Sequence, residues 1–340
     1  MTKKAFLGTD VSSDTLDFFL LFEDQPEKGF DLKVENNQTG FKNLLKFLKT
    51  HQVDLKSLIV IMEHTGVYTL QFMCFLGEWD IDFVLFPGLE IKRSLGITRG
   101  KNDKVDAFRI AQYGFMIRHK IKPTAIPSTE IMKLKQLITT RSLLVRQRSA
   151  CKNAVKTQKK YSKFTKLNTA QQELQAQISS FDNSIKAIEK TMQNIVKQCP
   201  EMKKNFDLLC SITGVGKIIA YALIAYTNNF TSFPSARHFM SYVGVAPFEE
   251  ESGKYRGKKK VSHLANKRLK TLLHNGVSSM KAHDPEAKAF YKRKIEQGKH
   301  KKQVANALVG KLIMRAFAVI KRGSPFVALY SQKIIQKNVA

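Results

Sequence analysis

Acidic residues are scarce in this 340-residue chain: 28 Asp and Glu stand against 57 Lys and Arg, a formal net charge of +29 with histidine neutral. So one-sided a balance points to a polyanionic partner, nucleic acid first and an anionic membrane second. Long apolar runs are lacking too. No stretch reaches the roughly 18 apolar residues of a spanning helix, and the opening MTKKAFLGTDVSS turns polar too early for a signal peptide. A membrane partner is therefore not expected, and a cytoplasmic, nucleoid-associated location is. Cysteine is sparse, at Cys74, Cys151, Cys199 and Cys210, with no CxxC pair. That argues against a zinc site and a disulfide framework and for reduced thiols. Proline and glycine are missing from 129 to 199, which removes the usual turn formers and leaves long helices. Apolar residues are not lacking: 43% of the chain is hydrophobic, enough to build a core and to exclude wholesale disorder.

The order of patterns divides the chain. KAFLGTDV (4–11), TLDFFLLFE (15–23) and GFDLKVE (29–35) read as three strands, the first two linked as a hairpin. Thr39 is placed to cap a helix over 40–50, with Phe41, Leu44, Leu45 and Leu48 on one face. LIVIM (58–62) has the continuous apolar character of a buried strand and runs straight into Glu63. A helix over 67–77, a strand over 82–86 closed by Pro87 and Gly88, and a helix over 103–117 complete an α/β domain with a mixed sheet, spanning 1–125. Residues 126–200 read as a coiled-coil arm. Leu174, Ile178, Phe181, Ile185, Ile188, Met192 and Ile195 recur at three and four, and a polar turn falls near 162–169. Such an arm serves as a spacer, a dimerisation element or both. Residues 201–330 form a mainly helical C-terminal domain that opens on FDLLCSITGVGKIIAYALIAY and continues through two or three helical patterns, with a charged loop at 249–260, and 331–340 form a tail.

Four acids occupy telling positions. Asp10 ends the first strand and Glu63 the fourth, while Asp103 and Asp106 stand three apart at the start of a helix. Strand ends of a mixed sheet share one rim, and a docked helix can complete the cluster. Four carboxylates do not converge and all stay ionised without a cation among them. Oxygen donors of this kind suit Mg²⁺ or Mn²⁺, and a pair of such ions serves phosphoryl transfer. Singly, each acid has a plainer explanation: Asp103 and Asp106 offset a helix dipole, and Asp10 closes a strand.

Two further motifs lie in the last third. In LLCSITGVGKIIAYAL, Gly214 and Gly216 suit a tight turn between two helices, a helix-hairpin-helix-like arrangement with Lys217 at the second helix's start. Exposed amides there can hold a phosphate without reading a base; a plain helical turn is the alternative. In VGVAPFEEESGKYRGKKKVSHLANKR, Ser252 sits on a glycine-softened loop. Lys254, Arg256, Lys258, Lys259, Lys260, Lys267 and Arg268 are candidates to neutralise phosphates. A serine beside cations can act as a nucleophile, although on composition alone a solvated surface loop is the better explanation.

Taken in order, GTDVSSDTLD, VIMEHTGVY, KNDKVDAFRIA, ITGVGKIIAYALIA, YVGVAPFEEESGKYRG and NKRLKTLLHNG resemble the Piv-invertase-like family of DEDD transposases and recombinases of bacterial insertion sequences, over nearly the whole chain. The resemblance implies a RuvC-like, RNase H-like first domain in which Asp10, Glu63, Asp103 and Asp106 are the metal-binding acids. It also implies a C-terminal transposase domain in which Ser252 is a nucleophile forming a covalent 5′-phosphoserine link to DNA. The expected activity is a metal-dependent DNA transposase or site-specific recombinase, with double-stranded DNA as partner and a dimer or tetramer as assembly. Several relatives use an element-encoded guide RNA; no residue here establishes that partner. A RuvC-like structure-specific nuclease using the same acids is the alternative, and an architectural nucleic-acid-binding protein a third. The serine loop separates the first two, because a nuclease needs no protein nucleophile.

Overall fold

The computed structural model describes residues 3–64, 66–94, 103–165, 169–248, 251–252, 255–256 and 260–328, with backbone alone for 103, 161–165, 251–252 and 255–256. The chain divides into two compact units, Met1–Ile126 and Pro127–Ala340.

The first unit is a mixed α/β domain. Strands β1 (Ala5–Val11), β2 (Thr15–Phe22) and β3 (Gly29–Glu35) are followed by helix α1 (Gln38–Thr50), strand β4 (Leu58–Glu63), helix α2 (Leu70–Glu78), strand β5 (Phe83–Phe86), and helices α3 (Gly88–Ser94) and α4 (Asp103–Met116). The open sheet has the order β3-β2-β1-β4-β5. β1 pairs antiparallel with β2 and β2 with β3, whereas β1–β4 and β4–β5 are parallel. A hairpin needs only a tight turn, while each parallel neighbour needs a crossover, which α1 and α2 supply.

Alternation along β1 decides the two faces. Ala5, Leu7 and Val11 pack with Phe41, Leu44 and Leu48 of α1 and Phe72, Phe75 and Leu76 of α2. Phe6 turns the other way, with Ile59 and Ile61 of β4 and Ile110, Ala111 and Tyr113 of α4. Each such fully buried Leu, Ile or Phe contributes about 1.5–3 kcal/mol from lost water contact. Thr9, beside Asp10, is also fully buried, and its hydroxyl has no hydrogen-bond partner among the described residues.

Three local expectations change. The cap of α1 is Asn37, whose side chain accepts the Gly40 N–H at 2.9 Å; Thr39 already lies inside the helix. The helix expected at 67–77 begins as a 3₁₀ turn, Gly66–Thr69, before α2. Helix α3 was not anticipated.

The second unit is mostly helical. Helix α5 (Thr129–Thr165) and helix α6 (Thr169–Gln198) lie side by side. Arg141–Glu189 at 2.6 Å and Arg148–Asp182 at 2.5 Å fix them antiparallel, since higher numbers on one meet lower numbers on the other. α5 extends to Thr165, so part of the expected turn at 162–169 is helix; residues 166–168 lie outside the described residues. Then come α7 (Pro200–Cys210), α8 (Lys217–Tyr226) and α9 (Ala236–Val243). Four two-residue strands follow, β6 (Pro247–Phe248), β7 (Glu251–Ser252), β8 (Tyr255–Arg256) and β9 (Lys260–Val261), and then α10 (Lys267–His283), α11 (Pro285–Glu296) and α12 (Lys301–Arg322). Among the described residues α7 to α12 make six helices, against the glycine-turn pair and the two or three further helical patterns expected after it. Asp284 both ends α10 and caps α11, accepting the Glu286 and Ala287 N–H groups. α8 is buried on every side from Ile219 to Ala225, which explains its unbroken apolar run. α12 is long and apolar enough by length and composition to cross a membrane. Here Val304, Leu308, Leu312 and Ala316 are buried along it, the last three within the core around α8.

One packing detail generates a test. A Cβ on Gly8 would lie 2.2 Å from the Ala107 carbonyl oxygen and 2.3 Å from the Ala111 nitrogen, both backbone atoms of α4. Gly8→Ala should therefore force α4 off the sheet and destabilise the first unit by about 1–3 kcal/mol or more. Urea unfolding followed by circular dichroism checks this; an unchanged midpoint would mean that α4 does not pack on β1 this closely.

Candidate active site and nucleic-acid interface

The acids expected at strand ends are there. The parallel register pairs Thr9 with Met62, so Asp10 and Glu63 stand one residue further along neighbouring strands, at the same rim. Both follow the alternation that puts Phe6 and Ile61 on the α4 face. Both are partly exposed. Helix α4 runs antiparallel to β1: Phe115 meets Phe6 at 5.5 Å between ring centroids, and Ala107 and Ala111 lie over Gly8. Its first turn, with Asp103 and Asp106, is therefore directed toward the Asp10 end of β1. Position 103 precedes Ala107 by one turn, and Asp106 precedes the buried Ile110 by one turn, on the sheet-facing side of the helix.

Placement is one matter and convergence another. The Asp106 carboxylate accepts a hydrogen bond from Arg109 Nη1 at 3.0 Å, one turn along the same helix. Among the described residues, which omit the Asp103 side chain, no three Asp, Glu, His or Cys side chains come together closely enough to hold a metal ion. The donor chemistry nevertheless fits a hard divalent cation, being carboxylate oxygen throughout. The rim also has a cradle for one of these groups. A Cβ on Gly88 would lie 1.8 Å from Glu63 Oε1, so the missing side chain leaves the space that the Glu63 carboxylate fills.

In the sequence Gly88 reads only as a strand terminator, and nothing there signals this contact. The sequence is equally silent on the Arg109 contact and on the link from Tyr113 of α4 to Glu90 of α3, whose carboxylate accepts the phenol hydrogen bond at 2.7 Å. Burial, helped by the Glu90 carboxylate, pushes the Tyr113 phenol up to about 12. Because that value is raised above the ordinary 10.0, the bond is intact below pH 10.0 and is lost as pH rises through about 12.

In the second unit the glycine pair divides its work. Gly214 has φ +95° and packs against α10, where a Cβ would lie 2.7 Å from the Gly276 carbonyl oxygen. Gly216 is extended, caps α8 and has nothing near the place a Cβ would occupy. It is exposed with Lys217, on a cleft of about 800 Å³ lined also by Arg141, Thr213, Asn275 and Ser279. Arg268 lies on an adjoining small cavity that shares Arg141 and Leu272 with this cleft. Lys260, Lys267 and Arg268 are all exposed.

Ser252 lies in β7. Its backbone pairs with Tyr255, and that of Glu251 with Arg256, while Phe248 pairs with Lys260 one step nearer the helices. The expected charged loop thus contains two short antiparallel pairings, not only solvated coil. The side chains of Ser252 and Arg256 are not described, and Lys254, Lys258 and Lys259 lie outside the described residues.

Comparison with known proteins shows the family to which the chain belongs. A DEDD model of the IS110 type, described as Transposase, matches residues 7–158, from β1 into α5. A second, described as Transposase IS116/IS110/IS902 family, matches residues 206–292, from α7 through the Ser252 strands into α11. The chain is thus a transposase of the DEDD class. It belongs to the IS110/IS116/IS902 family, the Piv-like DEDD transposases and recombinases. The pilin gene-inverting protein of Moraxella bovis is 28% identical over 342 residues, covering 95% of this chain and 98% of that protein, and the Moraxella lacunata protein of the same name gives the same figures. An uncharacterized 43.6 kDa protein of insertion element IS110 from Streptomyces coelicolor is 30% identical over 117 residues, 34% of this chain and 29% of its own length.

The Gly88 contact is directly testable. Gly88→Ala should leave stability nearly unchanged, because a flexible carboxylate end moves at little cost. Strand cleavage should fall by about 100-fold, the scale of a 1 Å misplacement in a reacting site. Wild-type cleavage by Gly88→Ala would show that the position of the Glu63 carboxylate is immaterial.

Proposed function

We propose that the protein cuts and rejoins double-stranded DNA by metal-assisted phosphoryl transfer, with Ser252 as the attacking nucleophile and an RNase H-like first domain as the metal platform. The observation that carries this reading is the shared rim of Asp10 and Glu63 beneath the first turn of α4. In this reading Asp10, Glu63, Asp103 and Asp106 hold Mg²⁺ or Mn²⁺. Such ions, when bound, supply charge neutralisation at the phosphate and activation of an attacking oxygen. Asp106 must exchange its Arg109 partner for that role.

Ser252 Oγ attacks phosphorus. The Oγ–P bond forms as the bond from phosphorus to the 3′ oxygen breaks, and the serine proton ends on that leaving oxygen. A 5′-phosphoserine keeps the ester, so attack by a new 3′-hydroxyl can rejoin strands and release the serine. Arg256 and the lysines around it stabilise charge on the phosphoryl oxygens. The Gly214–Gly216 turn, as a helix-hairpin-helix-like element with Lys217, holds the DNA backbone, joined by Lys254, Lys258, Lys259, Lys260, Lys267 and Arg268. α5 and α6 form a coiled-coil arm that in sequence follows the first domain and precedes the Ser252 strands, in an assembly of two or four copies. Inversion of a gene, which the names of the Moraxella proteins describe, requires both cutting and rejoining. A guide RNA is carried over from the resemblance and belongs in the assay.

The test is a denaturing gel of protein incubated with end-labelled recombination-site DNA, Mg²⁺ and the element's own RNA. Wild type should give a protease-sensitive covalent adduct. Ser252→Ala should give none, and Asp10→Asn should bind DNA but neither cleave it nor form the adduct. An undiminished adduct in Ser252→Ala removes the serine from the mechanism; cleavage without any adduct in wild type favours a nuclease using the same acids.

A further inference from the structure

The two helices of the α5–α6 hairpin carry unequal charge. α5 has ten Lys and Arg and one acid, Glu130, whereas α6 has three of each. Two of the three α6 acids are already engaged, Glu189 by Arg141 and Asp182 by Arg148. What remains on α5 faces outward. Arg146, Lys152, Lys156 and Lys160 are all exposed, while Val155 is buried against the partner side. Among the described residues no salt bridge engages any of these four. The last three are spaced by four residues, so they recur about every 6 Å along one side of the helix, and the four together cover about 21 Å.

This part of the hairpin also stands apart from the helical core. The large apolar cluster around α8 takes Ile131, Leu134 and Ile138 from the start of α5 and Met192 and Val196 from the end of α6, but nothing from 139–187. The distal half is held by its own seam, with Val155, Ile178 and Ile185 buried. A cationic face on a projecting segment, where only Lys152 has an acid near it, Asp182, already bonded to Arg148, is not built to cover a protein surface. A second copy of the same helix would meet it with like charge.

We propose that the outward face of α5 from Arg146 to Lys160 is a binding track for the phosphate backbone of double-stranded DNA, separate from the Ser252 strands and the Gly214–Gly216 turn. Duplex DNA offers one charge about every 1.7 Å of its axis, so a 21 Å track lies against about six base pairs. The cations sit on long flexible stems along a straight rod, which suits backbone contact without reading of sequence. The inference rests on the DNA reading above and assigns to the arm a contact that the reading does not require.

The experiment is fluorescence anisotropy of the full-length protein on a mixed-sequence 40-base-pair DNA duplex across a salt series. The variant carries Arg146→Ala, Lys152→Ala, Lys156→Ala and Lys160→Ala; alanine at exposed helical positions keeps the helix. Each lost phosphate contact should reduce the slope of log affinity against log salt by about 0.9. A decrease of about 2 to 4 is expected, with an affinity loss of at least tenfold at low salt and an unchanged mass by light scattering. A milder Lys156→Glu variant should move the slope in the same direction and guards against misfolding of the fourfold one. A folded variant with the wild-type slope overturns the track. So does a change confined to an RNA duplex of the same sequence, and so does a change in mass, which would make the face a protein interface. Failure of wild type itself to bind duplex DNA in a salt-dependent way would instead count against the DNA reading as a whole.

Discussion

The close approach of α4 to β1 at Gly8 sets the geometry of the first unit. A strand glycine removes the one side chain that would hold a helix at normal distance, and the Ala107 carbonyl and Ala111 nitrogen occupy the space. With the helix that close and antiparallel to the strand, its N-terminal turn is directed to the strand's C-terminal end. Asp10 and Glu63 already share that rim, because parallel neighbours end together. Glycine serves there a second time, since Gly88 gives the Glu63 carboxylate its room. The placement of the acids is thus a consequence of backbone packing, with the charged groups carried along.

The second unit answers a different constraint, the distribution of a large positive charge. Its apolar core centres on α8, sealed by α10 and α12, and the Gly214–Gly276 contact lets the turn before α8 lie flat on α10. The exposed Gly216, Lys217 and Arg268 then fall on adjoining clefts. Buried acids are used sparingly and locally: Asp284 caps α11 while accepting from Arg315. Most cations are left at the surface, where a polyanion can reach them and where salt screens them.

Much of this was legible in the residues. The strands announced themselves through alternation and through LIVIM, and Asp10 and Glu63 could be put on strand ends because apolar runs stop at them. The choice of Asn37 over Thr39 as the cap was not legible, since both can accept an amide and the end of β3 decides which does. Helix α3 buries only Ile91 and so has no periodicity to read. The pairings around Ser252 involve two residues per strand, below any pattern length. Tertiary contacts such as Gly88 with Glu63 and Arg109 with Asp106 leave no sequence signal, although a glycine inside a strand, as at Gly8, does hint at a close backbone approach.

The central claim is that the acid rim is where the cation binds. Electron paramagnetic resonance of Mn²⁺ titrated into the DNA-bound protein measures this without requiring turnover. The account predicts tight Mn²⁺ binding by wild type that is largely lost in Glu63→Gln and in Asp10→Asn, with DNA affinity retained. Mn²⁺ binding of wild-type strength in both folded variants would contradict it.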